Sequence, residues 1–166
     1  MEYINKNILT AFREGEFNVL LHQTNCVTGE RVSGIAKSIF EEYPKALEAH
    51  LKYCVFGEIS FHTQDDKTII NCNAQYYSGS SSDMQFYLDT DYSHNDNFQN
   101  RLAALENCLI NVKNLFYNCE IGIPLIASGL GADRKLKGSM RDLKYFQKFI
   151  APTVEKYLPN CKVYYL

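Results

Sequence analysis

Short apolar, β-rich runs alternate with stretches of helical period along this chain, and that alternation narrows the fold more than any other feature. The runs are FNVLLH (17–22), FGEISFH (56–62), KTIINCNAQ (67–75), IGIPLI (121–126) and the closing KVYYL (162–166), with a QDDK turn joining the second and third. Between them lie helical patterns. Ser33 to Phe40 places Ile35, Ala36 and Ile39 on one face and ends before Pro44; KALEAHLKY follows that proline. Leu102, Leu105, Leu109, Val112 and Phe116 recur at helical spacing, and Met140, Leu143, Phe146, Phe149, Ile150, Val154 and Tyr157 mark a last helix from about Ser139 to Pro159. Strands that alternate with helices predict α/β layers around a largely parallel sheet.

The bulk properties fit that frame. A chain of 166 residues, 46% hydrophobic and 22% charged, suits one domain with a core of ordinary size. A formal charge of −2 gives no reason to expect nucleic acid or an anionic membrane as a partner. The opening MEYINKNILTAF has no basic stretch followed by an apolar run, so the expected location is the cytoplasm, or the host cytoplasm for a viral source. The six cysteines form no C-x-x-C pair and no zinc spacing with histidine, which predicts reduced thiols, no metal and no cofactor. Residues 77–100 are rich in Ser, Asp, Asn and Gly without a period, and read as a long loop inserted in a single domain spanning 1–166. Asp91, His94 and Asp96 in that loop read as solvated, with a lid over a cleft as the alternative. Tyr76 and Tyr77 read as packing residues, with stacking on a ligand as the alternative, and Lys37 as part of an exposed helix face.

In α/β sheets ligands sit beyond the carboxyl ends of the strands. Two strands end in loops of unusual content, HQTNCVTGERVSGIA (22–36) and ASGLGADRK (127–135). Small residues let a backbone approach a ligand closely, and free N–H groups at helix starts favour phosphate. The pair predicts a diphosphate held between two loops.

YINKNIL, LLHQTNCVTGERVSGIAKSIFEEYPKA, IGIPLIASGLG and the terminal VYYL, in that order, resemble the macro domain family, nearest its branch of yeast-type ADP-ribose 1''-phosphate phosphatases and similar phage proteins. The resemblance runs from residue 3 to 166, apart from 77–100. It implies a three-layer α/β/α sandwich with a mixed, largely parallel central sheet, and a small nucleotide ligand, ADP-ribose or its 1''-phosphate, bound by a monomer. By this resemblance Asn7 accepts from the adenine amino group, with the amide of Ile8 against the ring, and Asn25 meets the distal ribose. Gly34, Ile35 and Ala36 form the first diphosphate loop; Ser128, Gly129, Leu130 and Gly131 form the second. The first loop departs from the family in carrying Glu30, Arg31 and Val32 where glycine is usual, and Arg31 is a candidate contact to a terminal phosphate. A related branch that removes ADP-ribose from DNA carries a lysine at the end of the central strand; INCNAQ (70–75) has none, which argues against that chemistry.

The implied activity is metal-independent release of phosphate from ADP-ribose 1''-phosphate. The rivals are a binder without turnover and a hydrolase acting on ADP-ribosylated protein. His22, at a strand end, is expected to transfer a proton or attack phosphorus. Asp133 reads either as a helix N-cap or as the carboxylate that positions water or holds His22.

Overall fold

A computed structural model describes residues 1–27, 32–80 and 96–166. The elements run β1 (Glu2–Asn5), α1 (Ile8–Arg13), β2 (Val19–Asn25), α2 (Gly34–Glu42), α3 (Pro44–Lys52), β3 (Ile59–Gln64), β4 (Lys67–Gln75), α4 (Phe98–Leu115), β5 (Ile121–Pro124), α5 (Arg134–Lys137), α6 (Asp142–Tyr145), a π-helical segment (Phe146–Ile150), α7 (Ala151–Tyr157) and β6 (Lys162–Tyr165). The described strands form one six-stranded sheet in the order β1-β6-β5-β2-β4-β3. Every neighbouring pair is parallel except the β3–β4 hairpin. β4 has helices over both faces and is buried along almost its whole length, as its apolar run predicts.

Side chains alternate across β2 and divide the core. Leu20 joins Ile8, Phe12, Ile39, Phe40 and Ala46 beneath α1, α2 and α3. Val19 and Leu21 join Leu105, Leu109, Phe146 and Val154 beneath α4 and the C-terminal helices. The result is the expected three-layer α/β/α sandwich. No described helix is long and apolar enough to cross a membrane.

Several boundaries differ from the sequence reading. β1 and α1, of four and six residues, are too short to show a period. β5 stops at Pro124 rather than Ile126, and Ala127 just beyond it has φ 58°, a left-handed conformation unusual for a residue with a Cβ. The last helix is interrupted by the π segment. Pro152, in the first turn of α7, lacks the N–H that an uninterrupted α-helix would donate there. α4 begins at Phe98, inside the stretch read as loop, where Asn97 caps it by accepting from Asn100 N at 2.8 Å. The MQFYL element, Asp91 and His94 lie outside the described residues.

Asp96 is neither solvated nor a lid residue: it is fully buried and ion-paired with Arg101. Tyr77 is buried, edge-on to Tyr76 at 5.0 Å between ring centres.

Gly122 in β5 faces the ring of Phe17, which is packed between Phe12 and Tyr164. A Cβ at Gly122 would come within 2.5 Å of that ring. Gly122→Ala is therefore expected to lower stability by about 1–3 kcal/mol through overpacking. Urea unfolding checks this, and Phe17→Leu should restore part of the loss in the double variant.

Candidate functional site

The carboxyl ends of β2, β4, β5 and β6 open into a cleft of about 870 Å³. One wall is the start of α1 with Asn7 and Ile8, together with Tyr164, Tyr165 and Leu166. A second is the start of α2, Val32 to Ala36. A third is the turn after β5, Pro124 to Ala127 and Gly129 to Gly131. Gln23, Asn25 and Gln75 reach it from β2 and β4. The two small-residue loops thus face one cavity, as their composition predicts.

Glycine at position 34 has a local cause. Its φ of 59° opens α2 in a conformation that a Cβ would strain. Gly131 is different: a Cβ there would lie 2.8 Å from Gln75 Oε1. Gln75 belongs to a carboxamide chain in which Gln23 Nε2 donates to Gln75 Oε1 at 3.2 Å and Gln75 Nε2 donates to Gly79 O at 2.9 Å. This chain joins β2, β4 and the backbone at Gly79, and its members line the cleft.

Behind it lies a buried cation. Arg101 Nε donates to Asp96 Oδ1 at 2.8 Å and Nη2 to Oδ2 at 2.6 Å. The same guanidinium donates to Gly79 O at 2.7 Å, Gly131 O at 3.2 Å and Tyr77 O at 3.2 Å. Asp96 also accepts from the amides of Tyr76 and Tyr77. A loop after β4 and the second small-residue loop are thereby fixed to one group on α4. Sequence reading passed over Arg101 because it sits among the leucines of α4 as an ordinary surface position.

Asn7 lines the cleft, but its side-chain oxygen is already engaged: Oδ1 accepts from Leu9 N at 3.0 Å and Thr10 N at 3.1 Å, capping α1. The expected role as an acceptor for an adenine amino group would compete with this cap. Asn7→Ala should lower stability by about 1 kcal/mol, while Asn7→Asp should retain the cap. Parallel denaturant titrations of the two variants check this.

His22 does not line the cleft. It follows Leu20 on the face toward α2 and α3, is fully buried, and stands edge-on to Phe40 at 5.2 Å. Its Nε2 is 2.8 Å from Asn71 Oδ1. Asn71 in turn donates to Ala46 O and Ser60 Oγ, so its amide is Nδ2 and its oxygen accepts from His22. Burial lowers the imidazole pKa to about 4, opposed by the Asn71 hydrogen bond and assisted by nearby His50. The expectation that His22 meets substrate rested on its place at a strand end and on the likeness of HQTNC to the phosphatase branch. β2 instead continues to Asn25, and alternation turns Gln23 and Asn25, not His22, toward the open side.

Asp133 N-caps α5, accepting from Leu136 N at 3.0 Å, and is not part of the cleft wall. Ser128 is buried, with Oγ donating to Ile126 O. The neighbouring Ala127, Gly129, Leu130 and Gly131 line the cleft instead. Arg31 lies outside the described residues. Asn7, Ile8, Asn25, Gly34, Ile35, Ala36, Gly129, Leu130 and Gly131 come together in one cavity.

Charged residues the sequence did not single out also line it. Lys6 is ion-paired with Glu14 and Glu16, and Asp142 with Lys137, whereas Arg141 makes no ion pair among the described residues. No group of His, Cys, Asp and Glu among the described residues could hold a metal ion.

No family model and no curated protein matches the chain. Solved structures do. The macrodomain of Mycobacterium tuberculosis DarG matches with a TM-score of 0.64 at 20% identity, over 98% of this chain and 95% of that one. The macrodomain of Thermus aquaticus DarG matches with a TM-score of 0.60 at 16% identity, over 98% and 95%. Thermosipho africanus DarTG, solved in complex with ADP-ribose, matches with a TM-score of 0.58 at 13% identity, over 89% of this chain and 38% of that one. At these identities the likeness is one of fold, and the fold is that of the macrodomains.

Proposed function

We propose that this protein binds ADP-ribose in the cleft, with the diphosphate between the Gly34–Ala36 and Gly129–Gly131 segments. The observation that carries the reading is the convergence of these two separate loops on one cavity at the carboxyl ends of parallel strands. The macrodomain fold supports it, as does ADP-ribose bound to a structure of similar fold. Arg141, at the same cavity and without an ion pair among the described residues, supplies a cation for an anionic ligand. Calorimetry is the test: ADP-ribose should bind more tightly than AMP, because it engages both loops. No heat with millimolar ADP-ribose would remove this reading.

The finer proposal is release of phosphate from ADP-ribose 1''-phosphate, and its support is the sequence resemblance. The cleft itself favours a second reading, binding without turnover. Its described lining contains no histidine or cysteine, and His22 is sealed beneath α2. Incubation with ADP-ribose 1''-phosphate and with ADP-ribosylated protein, following phosphate and ADP-ribose, separates the phosphatase, the protein hydrolase and the binder.

A further inference from the structure

Sheet order gives the cleft two unlike ends. The two small-residue loops follow β2 and β5, in the middle of the order β1-β6-β5-β2-β4-β3. On the β2–β4 side the lining includes Gln23, Asn25, Gln75 and Ser78, whose carboxamides and hydroxyl suit a sugar. On the β1–β6 side it includes Ile8, Tyr164 and Tyr165 beside Asn7. Apolar and aromatic side chains with one polar group among them suit a flat heteroaromatic base.

The polar group at that end has a fixed sense. Asn7 Oδ1 accepts from Leu9 N at 3.0 Å and from Thr10 N at 3.1 Å. Two backbone donors on one terminal atom make that atom the oxygen and the other the nitrogen. Asn7 Nδ2 makes no hydrogen bond among the described residues, and the residue is exposed at the cavity. What Asn7 offers a ligand is therefore a donor, whereas an adenine amino group requires an acceptor. Among the described residues, the carboxylate side chain that lines the cavity is Asp142. It is ion-paired with Lys137, and its Oδ2 lies 3.8 Å from where a Cβ on Gly129 would be, at the second small-residue loop.

We propose that the base end of the cleft selects a 6-oxopurine over adenine, with the C6 carbonyl accepting from Asn7 Nδ2. The preferred ligand is then the hypoxanthine or guanine counterpart of ADP-ribose. The inference rests on the reading above for the diphosphate seat and changes only the base. At position 6 a 6-oxopurine carries an acceptor where adenine carries a donor. The rings have the same outline, so the selection comes from the polarity of one hydrogen bond and not from shape. Adenine in the same place sets two N–H groups against each other and leaves both unpaired. ADP-ribose still engages the two loops through its diphosphate, and binds more weakly.

The test is calorimetry with IDP-ribose, the hypoxanthine analogue, beside ADP-ribose. Wild type should bind IDP-ribose about tenfold more tightly, the scale set by leaving a desolvated polar group unpaired. Asn7→Asp keeps one oxygen for the cap and presents a second to the ligand, so it should bind ADP-ribose the more tightly of the two. Equal affinities in wild type, or a preference for ADP-ribose, would overturn the base assignment and leave the diphosphate seat standing. A preference for IDP-ribose retained in a folded Asn7→Asp would also overturn it, because another group would then be reading the base. Heat with neither ligand would remove the seat and this inference together. The wild-type comparison needs no variant to fold.

Discussion

Arg101→Ala is expected to lower stability by about 3–5 kcal/mol, since removing one partner of a buried ion pair leaves the other charge uncompensated. Asp96, with no solvent exposure, would be that charge. Its two backbone donors, Tyr76 N and Tyr77 N, do not replace a bidentate guanidinium. The effect should reach the cleft, because Gly79 O and Gly131 O lose their common donor. Arg101→Lys separates charge from geometry: it restores a cation but cannot serve Asp96 and three carbonyls at once. Chemical denaturation should rank wild type above Lys above Ala. A loss in Ala of under about 1 kcal/mol, the range of exposed pairs, would show that the ion pair is solvated.

The second large effect concerns His22 and pH. A histidine with its folded pKa lowered to about 4 stays neutral in the fold, whereas the unfolded chain takes up the proton near pH 6.5. The unfolded state thus binds more protons between these values. The contribution is fully present above pH 6.5 and is lost as pH falls toward 4, to a total of roughly 3 kcal/mol. His22→Gln, which can still donate to Asn71 but does not titrate, should show a flatter stability profile than wild type by about that amount. Parallel profiles would place an ionisable, hydrated imidazole at this position. The same burial has a consequence for chemistry. If the protein releases phosphate from ADP-ribose 1''-phosphate, a folded His22→Gln should retain that activity.

The layer order and most strands were legible in the sequence because β2, β4 and β5 carry apolar runs bounded by turns, and α4 carries an unbroken helical period. The small-residue loops were legible for a related reason: glycine at a strand end has few other causes. Side-chain roles were harder to read. His22 and Gln23 are adjacent and both polar, yet one is sealed and the other lines the cleft, a difference set by where β2 ends. Asn7 and Asp133 both have the chemistry of a ligand contact and of an N-cap, and the local backbone decides between them. Arg101 and Gln75 also act through partners distant in sequence, Gly131 for the one and Gln23 for the other, so no local pattern marks them.

The sheet order also carries a consequence for how the chain is assembled during synthesis. β1, which leads into the Asn7 wall, pairs with β6 alone among the described strands, and the Met1 amino group meets Pro159 O across 158 positions. β6 lies between β1 and β5, so until Lys162–Tyr165 leaves the ribosome the first strand has no neighbour and β5 has one open edge. The β2–β4–β3 half can pair earlier. The nascent chain would thus hold one half of its sheet while the cleft still lacks its Asn7–Tyr165 wall. The cleft is therefore incomplete until β6 slots into the interior of the sheet, which makes that insertion the step that closes its last wall.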